Sequence, residues 1–317
     1  MKAVAMRDAL LEEIWREMKN DSSVFFLTAD FGSPVLDKIR ADFPDRFVNV
    51  GIAEQNLINV AAGLALEGFK VFAYAIAPFI TMRCYEQIRV SLALLSNVRQ
   101  LNVNLIGVGA GFSYVMSGPT HQCYEDISIM RSLPTFHFYS PADHVTAAAL
   151  ARYCINNVGP KYLRLDAQVL PVIYQGAEPE VPRGFYVHAN GGPICIVATG
   201  YMVHTALEVQ KELSRAGVLA GIVDLFDLVN FDVQGLEKIL RGYEVIVSLE
   251  EGFCGRGGMD SMLFDFMSGR NIEAKLLNLG LEGQYHFELN TRLGLHEKVG
   301  IGPKAVTRRV LDFVEAS

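Results

Sequence analysis

Apolar residues fall along this chain in two alternating textures. Over residues 5–19, Leu10, Leu11, Ile14, Trp15 and Met18 recur at helical spacing on one face. Residues 24–27 form a short unbroken apolar run ending in Thr28-Ala-Asp30, which suits a parallel strand buried on both faces. The alternation continues with strands over 47–50, 70–74, 101–107 and 136–139 and helices from Ala53 and over 85–95. Ser140-Pro-Ala-Asp143 reads as a helix start with a cap, a proline at the first position and an acid in the first turn. Strands alternating with helices predict an α/β fold with a doubly wound, largely parallel sheet.

Between Pro171 and Pro193 the texture changes. Pro171, Pro179, Pro182, Gly176, Gly184, Gly191 and Gly192 crowd the span and no helical period survives. Residues 173–190 are therefore read as a linker between a first domain (1–172) and a smaller α/β domain (191–317). In the second, strands are expected over 194–198, 221–225, 245–249 and 274–277, and helices over 204–216, 233–240, 259–267 and 304–315.

Composition narrows the class. At 317 residues, with half the chain hydrophobic, two domains with sizeable cores are expected. Net charge is −7 and no basic stripe with interleaved aromatics occurs, which argues against nucleic acid as a partner. The 5 cysteines are widely spaced with no CxxC pair, as in reduced, non-zinc proteins of the cytoplasm. Neither a signal-peptide core nor an apolar run near the roughly 18 residues of a membrane span is present.

Two residues carry candidate chemistry. Glu54 follows the strand-like Phe47-Val-Asn-Val50 and Gly51, at a strand-to-helix junction where α/β sheets place ligands. Taken alone, it equally suits a carboxylate that favours the positive end of a helix dipole. His121 lies in Gly118-Pro-Thr-His-Gln122, too rich in glycine and proline for the interior of an element. A junction glutamate and a loop histidine in one domain suggest proton transfer. Gly107-Val-Gly-Ala-Gly111 lacks the third glycine of a dinucleotide loop, and Gly255-Arg-Gly-Gly258 is read mainly as turn geometry.

Four segments, Val50-Gly-Ile-Ala-Glu-Gln-Asn56, Ala61-Ala-Gly-Leu-Ala-Leu-Glu-Gly68, Phe79 before Tyr85-Glu-Gln-Ile-Arg89, and Gly118-Pro-Thr-His-Gln122, resemble transketolase and deoxyxylulose-phosphate synthase. The resemblance covers the pyrimidine-binding and C-terminal domains of that family, hence effectively the whole chain. It implies thiamine diphosphate as cofactor, with Glu54 hydrogen-bonded to the aminopyrimidine ring and Ile52, Phe79 and Tyr85 around it. Counting back from Tyr85 puts Ile80 in the place of Phe79, so one residue is inserted locally. A plain core role for Phe79 stands beside the stacking role. His121 matches the histidine that handles protons on substrate oxygens.

Departures from the family pattern are equally informative. Gly-Asp-Gly, which carries the diphosphate and its metal, is absent from the sequence. The chain thus resembles the C-terminal half of a split transketolase; Mg2+ and its ligands are expected from a separate N-terminal subunit, with no metal ligands here. Self-association through the pyrimidine domain, by small-residue helices such as 57–66, implies an α2β2 assembly. The family's aspartate before the histidine is Ser117, its phosphate-binding arginine falls at Ala167 with Arg164 nearby, and a second phosphate-binding histidine falls at Gly109. Arg7, Ser117, Gln122 and Arg164 are the substrate candidates, for a small sugar that is not an ordinary sugar phosphate or is read by other residues. The expected activity is ketol transfer between sugars or their derivatives. The alternatives are the beta subunit of an oxo-acid dehydrogenase first component and a non-catalytic assembly homologue.

Overall fold

A computed structural model describes residues 3–176 and 178–316. Strands β1 (Val24–Thr28), β2 (Phe47–Asn49), β3 (Lys70–Ile76), β4 (Asn102–Val108), β5 (His137–Tyr139) and β6 (Gly159–Leu165) form one parallel sheet in the order β2-β1-β3-β4-β6-β5. Strands β1 and, beyond Lys70, β3 turn apolar residues to both faces. On β3, Phe72 and Tyr74 enter the core beneath helices α1 (Met6–Asn20), α2 (Pro34–Asp42) and α6 (His144–Asn156). Val71, Ala73 and Ala75, one residue out of phase, face helix α3 (Glu54–Leu66) and the helical segment that begins at Phe79. The period of two in strands sends alternate residues to opposite sides, so a doubly covered sheet demands an unbroken apolar run. In α1, Leu10, Leu11, Ile14 and Met18 are all buried, each stabilising the fold by about 2 kcal/mol relative to exposure.

The second sheet holds β7 (Phe185–Ala189), β8 (Ile194–Ala198), β9 (Ala220–Leu225), β10 (Val245–Phe253) and β11 (Lys275–Leu281) in the order β11-β10-β8-β9-β7. Only β7 is antiparallel, at the edge beside β9. It lies inside the span read as linker, so the second unit begins before residue 191. A short edge strand bounded by glycines carries little periodicity to read. The short helices α4 (Tyr85–Gln87) and α5 (Asp126–Arg131) belong to the first unit. Helices α7 (Met202–Arg215), α8 (Val233–Leu240), α9 (Met259–Gly269), α10 (Arg292–Lys298) and α11 (Pro303–Glu315) complete the second. α6 starts later than the sequence suggests: its cap is Asp143, which accepts from Val145 N and Thr146 N, and not Ser140.

Buried charge joins the two units. Arg164 on β6 donates from Nε to Asp126 and from Nη2 to the carbonyls of Cys123 and Glu251. Arg292 on α10 grips Glu251 through Nε and Nη2 and Asp166 through Nη1, while His296 shares Glu251 Oε1. Arg131 reaches across to the carbonyls of Gly257 and Gly258. Among the described residues no helix is long and apolar enough to cross a membrane.

Candidate functional site

The site grows from the carboxyl ends of β1 and β2, which lie in register with Thr28 opposite Asn49. The Asn49 amide accepts from Asp30 N (3.1 Å) and Gly51 N (2.9 Å) and donates to Asp30 Oδ1 (3.0 Å), tying both strand ends into one turn. Gly51 has φ +73°, a conformation that residues with a Cβ avoid. The chain then reverses into α3, whose N-cap Ala53 offers no side-chain acceptor, so the carboxylate of Glu54 stands at the positive helix end. Glu54 is only 2% exposed.

Phe79 opens a π-helical turn that runs to Arg83. A π turn has room for one residue more than an α turn, which suits the one-residue difference between the two counts. Ile80 points into the core and is fully buried, whereas Phe79 stays half-buried. A π turn widens the backbone and loosens its normal bonding. Here Thr81 Oγ1 donates to Ala77 O (2.7 Å) and Cys84 Sγ to Ile80 O (2.7 Å), which secures the carbonyls. Burial, reinforced by the Glu54 charge, pushes the Cys84 thiol up to about 12, so it stays protonated and unreactive.

The turn also delivers a residue that sequence reasoning missed. Arg83 Nη1 donates to Glu54 Oε2 at 2.7 Å, and its guanidinium lies 4.5 Å over the Phe79 ring. On another side the His121 ring meets Phe79 edge-on at 5.3 Å. Glu54, Phe79, Arg83 and His121 are thus one cluster, drawn from three separate segments. The only signal for Arg83 in the sequence was the one-residue mismatch between the two counts.

His121 is held by its own loop. Gly118, at φ +71°, turns the chain so that its carbonyl accepts from His121 N and Gln122 N. Gly111 and Cys123 pair as an isolated bridge at the loop base. Thr120 Oγ1 sits 3.0 Å from His121 Nδ1, which leaves Nε2 as the nitrogen for a ligand.

The remaining candidates divide. Ile52 is 78% exposed beside Gly51, while the Tyr85 hydroxyl bonds Ile129 O and Ser132 Oγ and so packs the segment in place. Arg7 lines a cavity of about 570 Å3 with Asp30, Ser33 and Asn49 at the same strand ends. Its Nε is taken by Asp8 (2.8 Å), which also accepts from Ser33 Oγ. Ser117 is exposed; Gln122 is buried and its Oε1 accepts from the Tyr124 hydroxyl. Arg164 is 2% exposed, with Nε on Asp126 and Nη2 on the carbonyls of Cys123 and Glu251, so among the substrate candidates it is the one that also ties the two units together.

The glycine-rich spots are structural. A Cβ on Gly111 would collide with the Glu251 carboxylate, and one on Gly109 would collide with the Tyr114 ring, so that ring fills the space a side chain at 109 would need. At Gly255–Gly258 the helix end does meet a carboxyl group, but an internal one. Glu250 accepts from Met259 N (3.0 Å) and Asp260 N (2.8 Å) at the start of α9, and burial raises its carboxyl to about 7. Among the described residues no group of three or more His, Cys, Asp or Glu could hold a metal ion.

The profile described as transketolase, pyrimidine binding domain matches residues 2–172, and that of the transketolase C-terminal domain matches 185–304. An apulose-4-phosphate transketolase subunit of Actinobacillus succinogenes is 30% identical over 309 residues, 97% of this chain and 98% of the relative. The 6-deoxy-6-sulfo-D-fructose transketolase subunit SqwH of Clostridium sp. is 27% identical over 311 residues, 98% of this chain and 94% of the relative. A solved structure described as a split gene transketolase, inactive beta4 tetramer, superposes with a TM-score of 0.84 at 30% identity, covering 98% of each chain.

Proposed function

Since the chain belongs to the transketolase family, as its pyrimidine-binding and C-terminal domains, we propose that it is the C-terminal subunit of a two-chain enzyme that moves a two-carbon ketol unit between sugars or sugar derivatives. The observation that carries this reading is the cluster of Glu54, Phe79 and His121 at the carboxyl ends of the strands.

The donor set suits the cofactor of the family. A flat nitrogen heterocycle needs a carboxyl at its edge and an aromatic face beneath it, and Glu54 and the half-buried Phe79 offer both. Thiamine diphosphate, when bound, supplies the carbon–carbon chemistry. This chain's part is to hold it and to handle protons. Glu54 would hydrogen-bond the aminopyrimidine and Phe79 would stack on it, with Ile52 and Tyr85 bordering the ring. His121 Nε2 would give and take the proton on a substrate oxygen. Arg7 and Ser117 stand as substrate contacts, and Gln122 shapes the loop beneath His121.

Gly-Asp-Gly is absent from the sequence, so a separate N-terminal subunit carrying it is proposed to supply Mg2+ and the diphosphate contacts. The relatives' names support a subunit role, and the beta-only tetramer is described as inactive. For self-association the pyrimidine domain offers Leu66, Val90, Leu94 and Val98, all exposed, beside the small Gly63 on α3. An α2β2 complex in the reducing cytoplasm completes the reading, in keeping with free thiols at all 5 cysteines. Reconstitution tests it. The chain alone should show no cofactor-dependent ketol transfer, and adding the Gly-Asp-Gly subunit should restore it; turnover by the chain alone would contradict it.

A further inference from the structure

Arg83 occupies the two contacts that a pyrimidine ring would need. Its planar guanidinium donates from Nη1 to Glu54 Oε2 at 2.7 Å, and its Cζ lies over the Phe79 ring, 4.5 Å from the centroid. An aminopyrimidine has the same three properties: flatness, in-plane donors and a face to stack. Both groups cannot take Glu54 Oε2 and the same face of Phe79 at once. The two residues of the pair also differ in freedom. Glu54 is fixed in a helix start with its side chain 3% exposed, whereas Arg83 is 44% exposed on a long flexible stem.

Resting on the proposed function, we infer that Arg83 is an internal stand-in for the cofactor ring, which must leave Glu54 and Phe79 before the heterocycle binds, and that it thereby sets cofactor affinity. Arg83 acts through Glu54 and Phe79 and is a positioning residue.

The test is calorimetric titration of the assembled two-chain complex with thiamine diphosphate and Mg2+, comparing wild type with Arg83→Met. Loss of one half-exposed pair and one cation–π contact should tighten binding about tenfold. Arg83→Lys, which keeps a cation near Glu54 but has no planar face, should fall between the two and covers the case in which the methionine variant fails to assemble. In a Glu54→Gln background the gain from Arg83→Met should largely disappear, because no ion pair remains to compete. Affinity unchanged or weakened in Arg83→Met, with wild type binding normally, overturns the stand-in role alone. Failure of the wild-type complex to bind the cofactor overturns the proposed function together with it.

Discussion

Arg292, on a helix of the second unit, binds Glu251 through two nitrogens at 2.6 and 3.1 Å, and its third nitrogen reaches Asp166 of the first unit at 2.5 Å. All three side chains are buried. The arginine neutralises two carboxylates at once and fixes how the C-terminal unit sits against the strand ends that carry the site. Arg292→Met should therefore destabilise the chain by about 3–5 kcal/mol, since it strands buried charge. Denaturant titration of the purified chain checks this. Adding Glu251→Met should recover part of the loss, because one stranded charge is then removed as well.

Glu250 makes stability depend on pH in an identifiable window. Burial raises its carboxyl from the ordinary 4.5 to about 7, so between those values the folded chain holds a proton that the unfolded chain has lost. Stability from this group is therefore greatest below about pH 4.5, declines as pH rises, and reaches its floor above about 7. A shift of this size corresponds to about 3 kcal/mol at most. The fall in thermal midpoint between pH 5 and pH 8 should shrink in Glu250→Gln relative to wild type, measured side by side so that other titrating groups cancel.

The helical register around Phe79 explains what could and could not be read in the sequence. Strands such as β8 and helices such as α8 were legible because burial leaves either an unbroken apolar run or a clean helical stripe. Strand β6 was not. It contains Lys161 and Arg164, whose charges interrupt the apolar run, yet both are buried, Lys161 against Asn102 Oδ1 and Gly159 O and Arg164 against Asp126. Burial pushes the Lys161 ammonium down to about 8. Pairing across the sheet is a tertiary event that no local pattern announces. The same holds for the site: Glu54, Phe79 and His121 were marked by motif, but the position of Arg83 on the Phe79 face depends on a π turn. The structural part Arg164 plays, bonded to Asp126 and to the carbonyls of Cys123 and Glu251, was equally hidden, because those partners are distant in sequence.

His121 should matter to turnover more than to cofactor affinity. It meets Phe79 only edge-on and has Nε2 free of Thr120. His121→Ala in the reconstituted complex should lower kcat about 10²–10⁴-fold while leaving the Kd for thiamine diphosphate within about twofold. Steady-state kinetics together with calorimetry separate the two effects.

Exposed apolar residues on the pyrimidine domain predict an assembly phenotype. Leu94→Glu, placed among Val90 and Val98, should dissociate the self-associated form, because a charge in an apolar contact is desolvated without a partner. Light scattering across a dilution series should show the loss of mass, with circular dichroism unchanged.

The central claim is that Glu54 activates the cofactor. Its most direct measurement is the rate of deuterium exchange at the thiazolium C2 position of thiamine diphosphate bound to the two-chain complex, followed by quenched-flow NMR. Wild type should exchange at least about 10²-fold faster than Glu54→Gln at equal cofactor occupancy. Equal rates in the two complexes would contradict the role assigned to Glu54.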